Sequence, residues 1–274
     1  MKYLKNLLKP KKLLVGTALA GALLFPNYNQ AHAYSDDACR KTVGLNGLFQ
    51  GVIGGIGGVQ NGVPFWKSFY KSMIGGAFQG IGKCMVAKDL DNAWPAKVVN
   101  AFGTSVSDNI SQGKDMFDTF GIDYGPAYFE WNKKDGLETY LLPESLGSIA
   151  LSISKGYKFD AKKTLKYGTP YFTADDLGII PGTERTMKGM TSTNVIIALE
   201  DVSDDTISHE SIHAYQYSSS SSIGHIVLNY TGDPSPKWIY LPKVVGWGAV
   251  ALPQVFLDYE DRPIEREAYR LTRN

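Results

Sequence analysis

Ile207-Ser208-His209-Glu210-Ser211-Ile212-His213-Ala214-Tyr215-Gln216 is the stretch on which the reading of this chain turns. It contains His-Glu-x-x-His, with His209, Glu210 and His213 in the fixed places. On a helix, residues four apart lie one turn above each other on one face. Two imidazoles at that spacing can reach a common point, as two ligands of one metal ion must. Glu210 follows His209 and projects about 100° further round the helix. That direction suits a base acting on water beside the metal better than a third ligand. The chain has four histidines, and His32 lies in the N-terminal stretch 1–33. Two of the other three make the motif, so coincidence explains it poorly. The competing reading is two ordinary histidines on a polar helix face.

Upstream of the motif, Val195-Ile196-Ile197-Ala198-Leu199 is a short β-branched run and reads as a strand. Glu200 to Asp205 follows as an acidic loop, and Ser203, Asp204 and Asp205 are good caps for the motif helix. Strand, loop and metal helix in that order would set an extended peptide beside the metal. After the helix, Ser218 to Ser222 reads as its end and an exposed loop. His225 is a candidate hydrogen-bond donor to a reacting oxygen, although a lone histidine is more often structural. Trp238 to Leu257 is apolar but interrupted by Pro242, Lys243 and Pro253, which points to one or two buried helices under the site.

A catalytic zinc takes three protein ligands and leaves a fourth position open. A three-histidine site would place glycine three residues after the second histidine and another histidine three further on. Gln216 and Ser219 stand there instead, so a carboxylate is needed. Candidates lie in Tyr259-Glu260-Asp261-Arg262-Pro263-Ile264-Glu265-Arg266-Glu267-Ala268-Tyr269-Arg270. Asp261 and Pro263 read as a helix start. Glu265 and Glu267 then project about 200° apart, so at most one faces the metal, and removing the other should do little.

These residues resemble the glutamate-type zincins, metallopeptidases with His-Glu-x-x-His and a glutamate on a later helix. Glu265-x-x-Ala268 is similar to the Glu-x-x-Ala-Asp of the HtpX-like peptidases, with Tyr269 where that group has aspartate. His213-x-x-Gln216 followed by a late Pro-x-Glu-x-Glu-Ala is also similar to bacterial His-Glu-x-x-His-x-x-Gln metallopeptidase domains. The resemblance covers roughly residues 165–274 and rests on these two short motifs. It implies an α+β, zincin-like fold, a zinc ion and hydrolysis of peptide bonds in a peptide or protein substrate. It also implies His209, His213 and Glu265 as metal ligands and Glu210 as general base.

The other half of the chain has a different character. Residues 1–33 read as a secretory signal. Lys2, Lys5, Lys9, Lys11 and Lys12 open it, Leu13 to Phe25 forms a short apolar core, and Ala31-His32-Ala33 is a small-x-small cleavage site. Export, to a periplasm or beyond the cell, places the protein where disulfides persist. Between about residues 39 and 88, glycines recur at four-residue spacing (Gly47, Gly51, Gly55; Gly76, Gly80), and Phe49-Gln50-Gly51 returns as Phe78-Gln79-Gly80. Each glycine costs a helix about 1 kcal/mol against alanine, and close helix–helix approach is the usual reason to keep it. We read a helical hairpin turning at Gln60-Asn61-Gly62-Val63-Pro64. Cys39 lies 23 residues before Gly62 and Cys84 lies 22 after it, which predicts a disulfide across the open end. Either a tight hairpin packed on the next domain, or one that enters a membrane or self-associates through residues 45–82, fits this composition.

Val98, Phe102, Val106 and Ile110 predict an amphipathic helix with a buried stripe, and Gly121 to Gly125 a loop. Tyr128 to Ser154 is ambiguous, with Leu146 to Ile153 a candidate short helix. Tyr167 to Thr173 reads as strand-like around Pro170. The expected organisation is a signal over 1–33, the glycine-rich hairpin and amphipathic helix over 34–125, and the zincin-like domain over 126–274. The net charge of +1 over 274 residues gives no bulk electrostatic case for nucleic acid. The alternative to an enzyme is a non-catalytic envelope protein whose metal site is structural or relict.

Overall fold

The computed structural model describes residues 36–180, 184–234, 236–252, 254 and 257–272. The expected signal segment lies outside them. The chain is α+β and mostly helical, with two small sheets.

Helices α1 (Asp36–Gln60) and α2 (Phe65–Lys88) form the antiparallel hairpin. It reverses at Gly62, whose φ of +77° costs glycine nothing. The four-residue glycine spacing serves close approach, as expected: a Cβ at Gly76 would sit 2.2 Å from the Asn46 carbonyl oxygen. Cys39 and Cys84 are joined across the open end. A cross-link 45 residues apart removes enough unfolded-chain entropy to be worth about 4 kcal/mol. A Cys39→Ser/Cys84→Ser variant should therefore unfold in urea with about 4 kcal/mol less stability. A loss below about 1 kcal/mol would mean that the unfolded hairpin stays closed without the bond.

Helix α3 (Ala93–Ser111) packs across the hairpin. Its expected stripe is only half right. Val106 and Ile110 are buried, but Val98 is 46% exposed. From Asn100 onward α3 is enclosed on most sides, so Asn100, Thr104, Ser107 and Asp108 are buried as well. A three-stranded antiparallel meander follows, β1 (Thr119–Tyr124), β2 (Ala127–Asn132) and β3 (Gly136–Leu141). The loop expected at Gly121 to Gly125 is thus mostly strand. Gly121 is there because the Tyr128 ring covers it: a Cβ would fall 1.8 Å from the phenol oxygen. Helix α4 (Pro143–Ser154) resolves the ambiguous segment after β3.

The second sheet comprises β4 (Lys158–Phe159), β5 (Tyr171–Ala174), β6 (Gly189–Ser192) and β7 (Val195–Leu199), in the order β4-β5-β7-β6, with helix α5 (Ala161–Tyr167) between β4 and β5. Tyr167 therefore ends a helix rather than starting a strand. Gly168, at φ +66°, caps that helix. The predicted strand Val195–Leu199 is present, but it is interior. The edge strand next to it is β6, antiparallel to β7.

Helix α6 (Asp204–Ser219) starts as its sequence indicates, with the Ser203 hydroxyl accepting from the Thr206 N–H. It breaks at Ser220 and resumes as α7 (Ser221–Thr231). Ser218 to Ser222 is therefore a buried helix junction and not an exposed loop. Its hydroxyls donate to buried acceptors: Ser218 to Asp123 at 2.9 Å, Ser221 to Asp108 at 2.7 Å and Ser222 to Gln50 at 2.8 Å. Small hydroxylated side chains suit this junction because each buried polar group finds a partner. Helix α8 (Leu241–Ala251) packs mainly on α7, so the apolar stretch flanks the motif helix's continuation rather than lying under the metal centre. Helix α9 (Pro263–Thr272) returns to α6. The main core gathers Ala38, Cys84, Val86, Tyr171, Ile196, Ile212, Ala268 and Leu271, which ties hairpin, sheet and both site helices into one packed unit.

Candidate metal centre

His209 and His213 sit one turn apart on α6, and α9 delivers Glu265 to them. One donor atom from each lies within 4.8 Å of the other two, and all three residues are buried. The His209 and His213 Nε2 atoms are 3.0 Å apart, and Glu265 Oε2 lies 3.2 Å from the first and 3.3 Å from the second. Tetrahedral zinc, at about 2.0–2.1 Å from each ligand, spaces its ligand atoms about 3.3 Å apart. The cluster already has that spacing.

The hydrogen bonds behind the imidazoles fix which nitrogen is free. His213 Nδ1 is 2.7 Å from Gln216 Oε1. An amide oxygen only accepts, so Nδ1 carries the proton and the Nε2 lone pair faces the cluster. Gln216 cannot flip, because its amide nitrogen donates to Glu267 Oε2 at 2.7 Å and to the Ile264 carbonyl at 3.0 Å. His209 Nδ1 is 3.4 Å from Thr272 Oγ1, whose own proton goes to the Ala268 carbonyl. The Tyr269 ring covers His209, with centroids 4.5 Å apart. Burial alone would raise the Glu265 pKa, but with no ion bound its contacts with the two histidines outweigh burial and hold the carboxyl well below the usual range. Two imidazole lone pairs and a carboxylate form a donor set that a divalent transition metal accepts.

Glu267 faces the other way, as the 200° offset requires. It is buried, with its Oε2 2.8 Å from Lys83 Nζ and its Oε1 accepting from the Asn46 amide. Asn46 also accepts from Lys83 at 2.8 Å. The chain Lys83/Asn46–Glu267–Gln216–His213 thus runs from the glycine-rich hairpin to a candidate ligand. Nothing in the sequence indicated Lys83 or Asn46, which lie more than 180 residues from Glu267. Gln216 did have a signal, its place three residues after His213.

Glu210 is buried but not in the cluster. It turns to the edge strand, where Thr191 Oγ1 lies 2.8 Å from both its carbonyl oxygen and its Oε2. Gly189 leaves room for it: a Cβ there would meet the Glu210 Cγ at 3.0 Å. His225 lies elsewhere. Its Nε2 is 3.0 Å from the Tyr240 hydroxyl and 3.2 Å from the Gln112 amide. Burial, with Lys114 adding to it, pushes its pKa down to about 3, so it is a neutral hydrogen-bonding group in the core.

No protein-family model, curated protein or solved structure matches this chain.

Proposed function

We propose that this protein is an exported zinc metallopeptidase of the zincin type. The observation that carries the proposal is the convergence of His209, His213 and Glu265 beside an acid, Glu210, that is held out of the cluster. A structural metal site has no use for that acid. The Cys39–Cys84 disulfide supports export, since such bonds persist in oxidising compartments. His209, His213 and Glu265 would hold the ion. Zinc there supplies a Lewis acid and brings the pKa of water toward about 7.

The chain's own groups supply the rest. Glu210 accepts a proton from the attacking water and passes it to the leaving amine. Thr191 keeps one carboxylate oxygen oriented for this. Strand β6 forms one edge of its sheet. Ser192 pairs with Val195 across the two-residue turn, and Met190 with Ile197. By the antiparallel alternation, the main-chain groups of Gly189 and Thr191 then point outward. An extended peptide hydrogen-bonding to them lies alongside Glu210.

Purified protein should carry about one zinc per chain and cleave casein or a peptide mixture in a chelator-sensitive way. Elemental analysis showing no transition metal after zinc addition would overturn the metal centre. Full metal loading without any peptide turnover would overturn the peptidase reading.

A further inference from the structure

We propose that the outer face of α2 seats the protein on an anionic phospholipid bilayer. This inference is independent of the peptidase reading. Trp66, Tyr70, Ile74 and Ile81 are 63%, 57%, 46% and 38% exposed. Spacings of four, four and seven put them in one row along the helix. The apolar surface continues sideways. The Phe78 ring meets Phe102 at 5.0 Å, Phe102 meets Phe117 at 6.1 Å, and Phe117 is 57% exposed. Single exposed apolar side chains are ordinary, but a contiguous set marks a docking surface.

Charge selects the occupant. Lys67 and Lys71 edge the row, and with Lys114 and Asp115 they line a cavity of about 80 Å³. None of the three lysines is in an ion pair among the described residues. Residues 38–88 contain no Asp or Glu at all. The face therefore offers tryptophan and tyrosine at headgroup depth and ammonium groups for lipid phosphates. A second copy of the chain fits it less well, because a two-fold interface would set the same lysines against each other. No helix among the described residues is long and apolar enough to cross a membrane, so α2 lies on the surface rather than through it. Ile74 and Lys83, nine residues apart, project to opposite sides of α2. Lys83 reaches Glu267 behind the metal centre, so docking by the Ile74 side leaves that centre turned away from the lipid.

The test is co-sedimentation of the folded protein with vesicles of phosphatidylcholine, alone or with phosphatidylglycerol added, at low and high salt. Binding should require the anionic lipid, weaken with salt and shift Trp66 fluorescence to the blue. Each lysine lost from such a surface costs about fivefold in partitioning, so Lys67→Ala/Lys71→Ala should bind about 25-fold more weakly. Trp66→Ser/Tyr70→Ser should lose the fluorescence shift and most of the binding. Circular dichroism and the urea midpoint confirm that the variants fold. Binding to neither vesicle would overturn the proposal, as would binding that all the variants retain. A dimer that Trp66→Ser/Tyr70→Ser disperses, without vesicle binding by the parent, would assign the face to self-association instead.

Discussion

Glu210→Gln is expected to keep its metal and lose peptide hydrolysis by about 10²–10⁴-fold, the range supplied by a positioned general base. The geometry makes the experiment clean. Glu210 is outside the triangle of donor atoms formed by His209, His213 and Glu265. Its known side-chain partner is the Thr191 hydroxyl at 2.8 Å, and a glutamine oxygen can accept that bond equally well. Size and orientation are therefore retained, while the capacity to take a proton is lost. Thr191→Val should reproduce part of the defect by freeing the carboxylate, again with the metal in place. The measurements are zinc content and the initial rate of peptide cleavage. Loss of zinc from Glu210→Gln would make Glu210 a ligand. An unchanged rate with zinc retained would remove it from the chemistry.

The site was legible in the sequence to the extent that local periodicity carries it. His209, His213 and the Ser203 cap share one helix, and a spacing of four fixes their geometry before any tertiary contact forms. A two-residue step on a helix showed that Glu265 and Glu267 cannot both face the metal, but which of them does came only from the resemblance. The hairpin and its disulfide were legible because a glycine turn and two equidistant cysteines are local features. What escaped depends on tertiary enclosure. The serine run looks like a solvated loop until α1, α3 and β1 bring Gln50, Asp108 and Asp123 to its hydroxyls. Val98 fits an apolar period, yet the hairpin covers a different side of α3, and polar residues are buried there instead. The meander was missed because its strands carry weak alternation and an internal glycine. Gly121 reads as a loop residue until the Tyr128 ring explains it. The strand beside Glu210 proved to be β6, whose Gly-Met-Thr-Ser sequence has none of the β-branched density of β7.

Glu265→Ala and Glu267→Ala are expected to fail in different ways, and the sequence-based expectation that Glu267 is dispensable needs correcting. Removing Glu265 leaves two imidazoles and no protein carboxylate in the cluster. Zinc affinity should then fall by more than the 10–100-fold typical of changes to groups behind a ligand. Removing Glu267 leaves the Lys83 ammonium, only 2% exposed, buried without its carboxylate. Breaking a buried pair in this way costs about 3–5 kcal/mol. It also frees the Gln216 amide from one of its two acceptors, so the His213 tautomer is less firmly held. Metal affinity should drop by about 10–100-fold, alongside a large loss of stability in the metal-free protein. Two readouts separate the cases: urea unfolding without metal and zinc competition against a chelating dye. Glu265→Ala should move mainly the second, and Glu267→Ala should move both. A Lys83→Met/Glu267→Met double variant replaces the pair with apolar side chains of similar length. It should recover much of the stability without recovering the metal affinity, because Gln216 still lacks its partner. If Glu267→Ala strips the metal while Glu265→Ala does not, the ligand is Glu267 and the assignment is reversed. If Glu267→Ala changes neither readout, the chain of contacts from Lys83 to His213 has no part in holding the site.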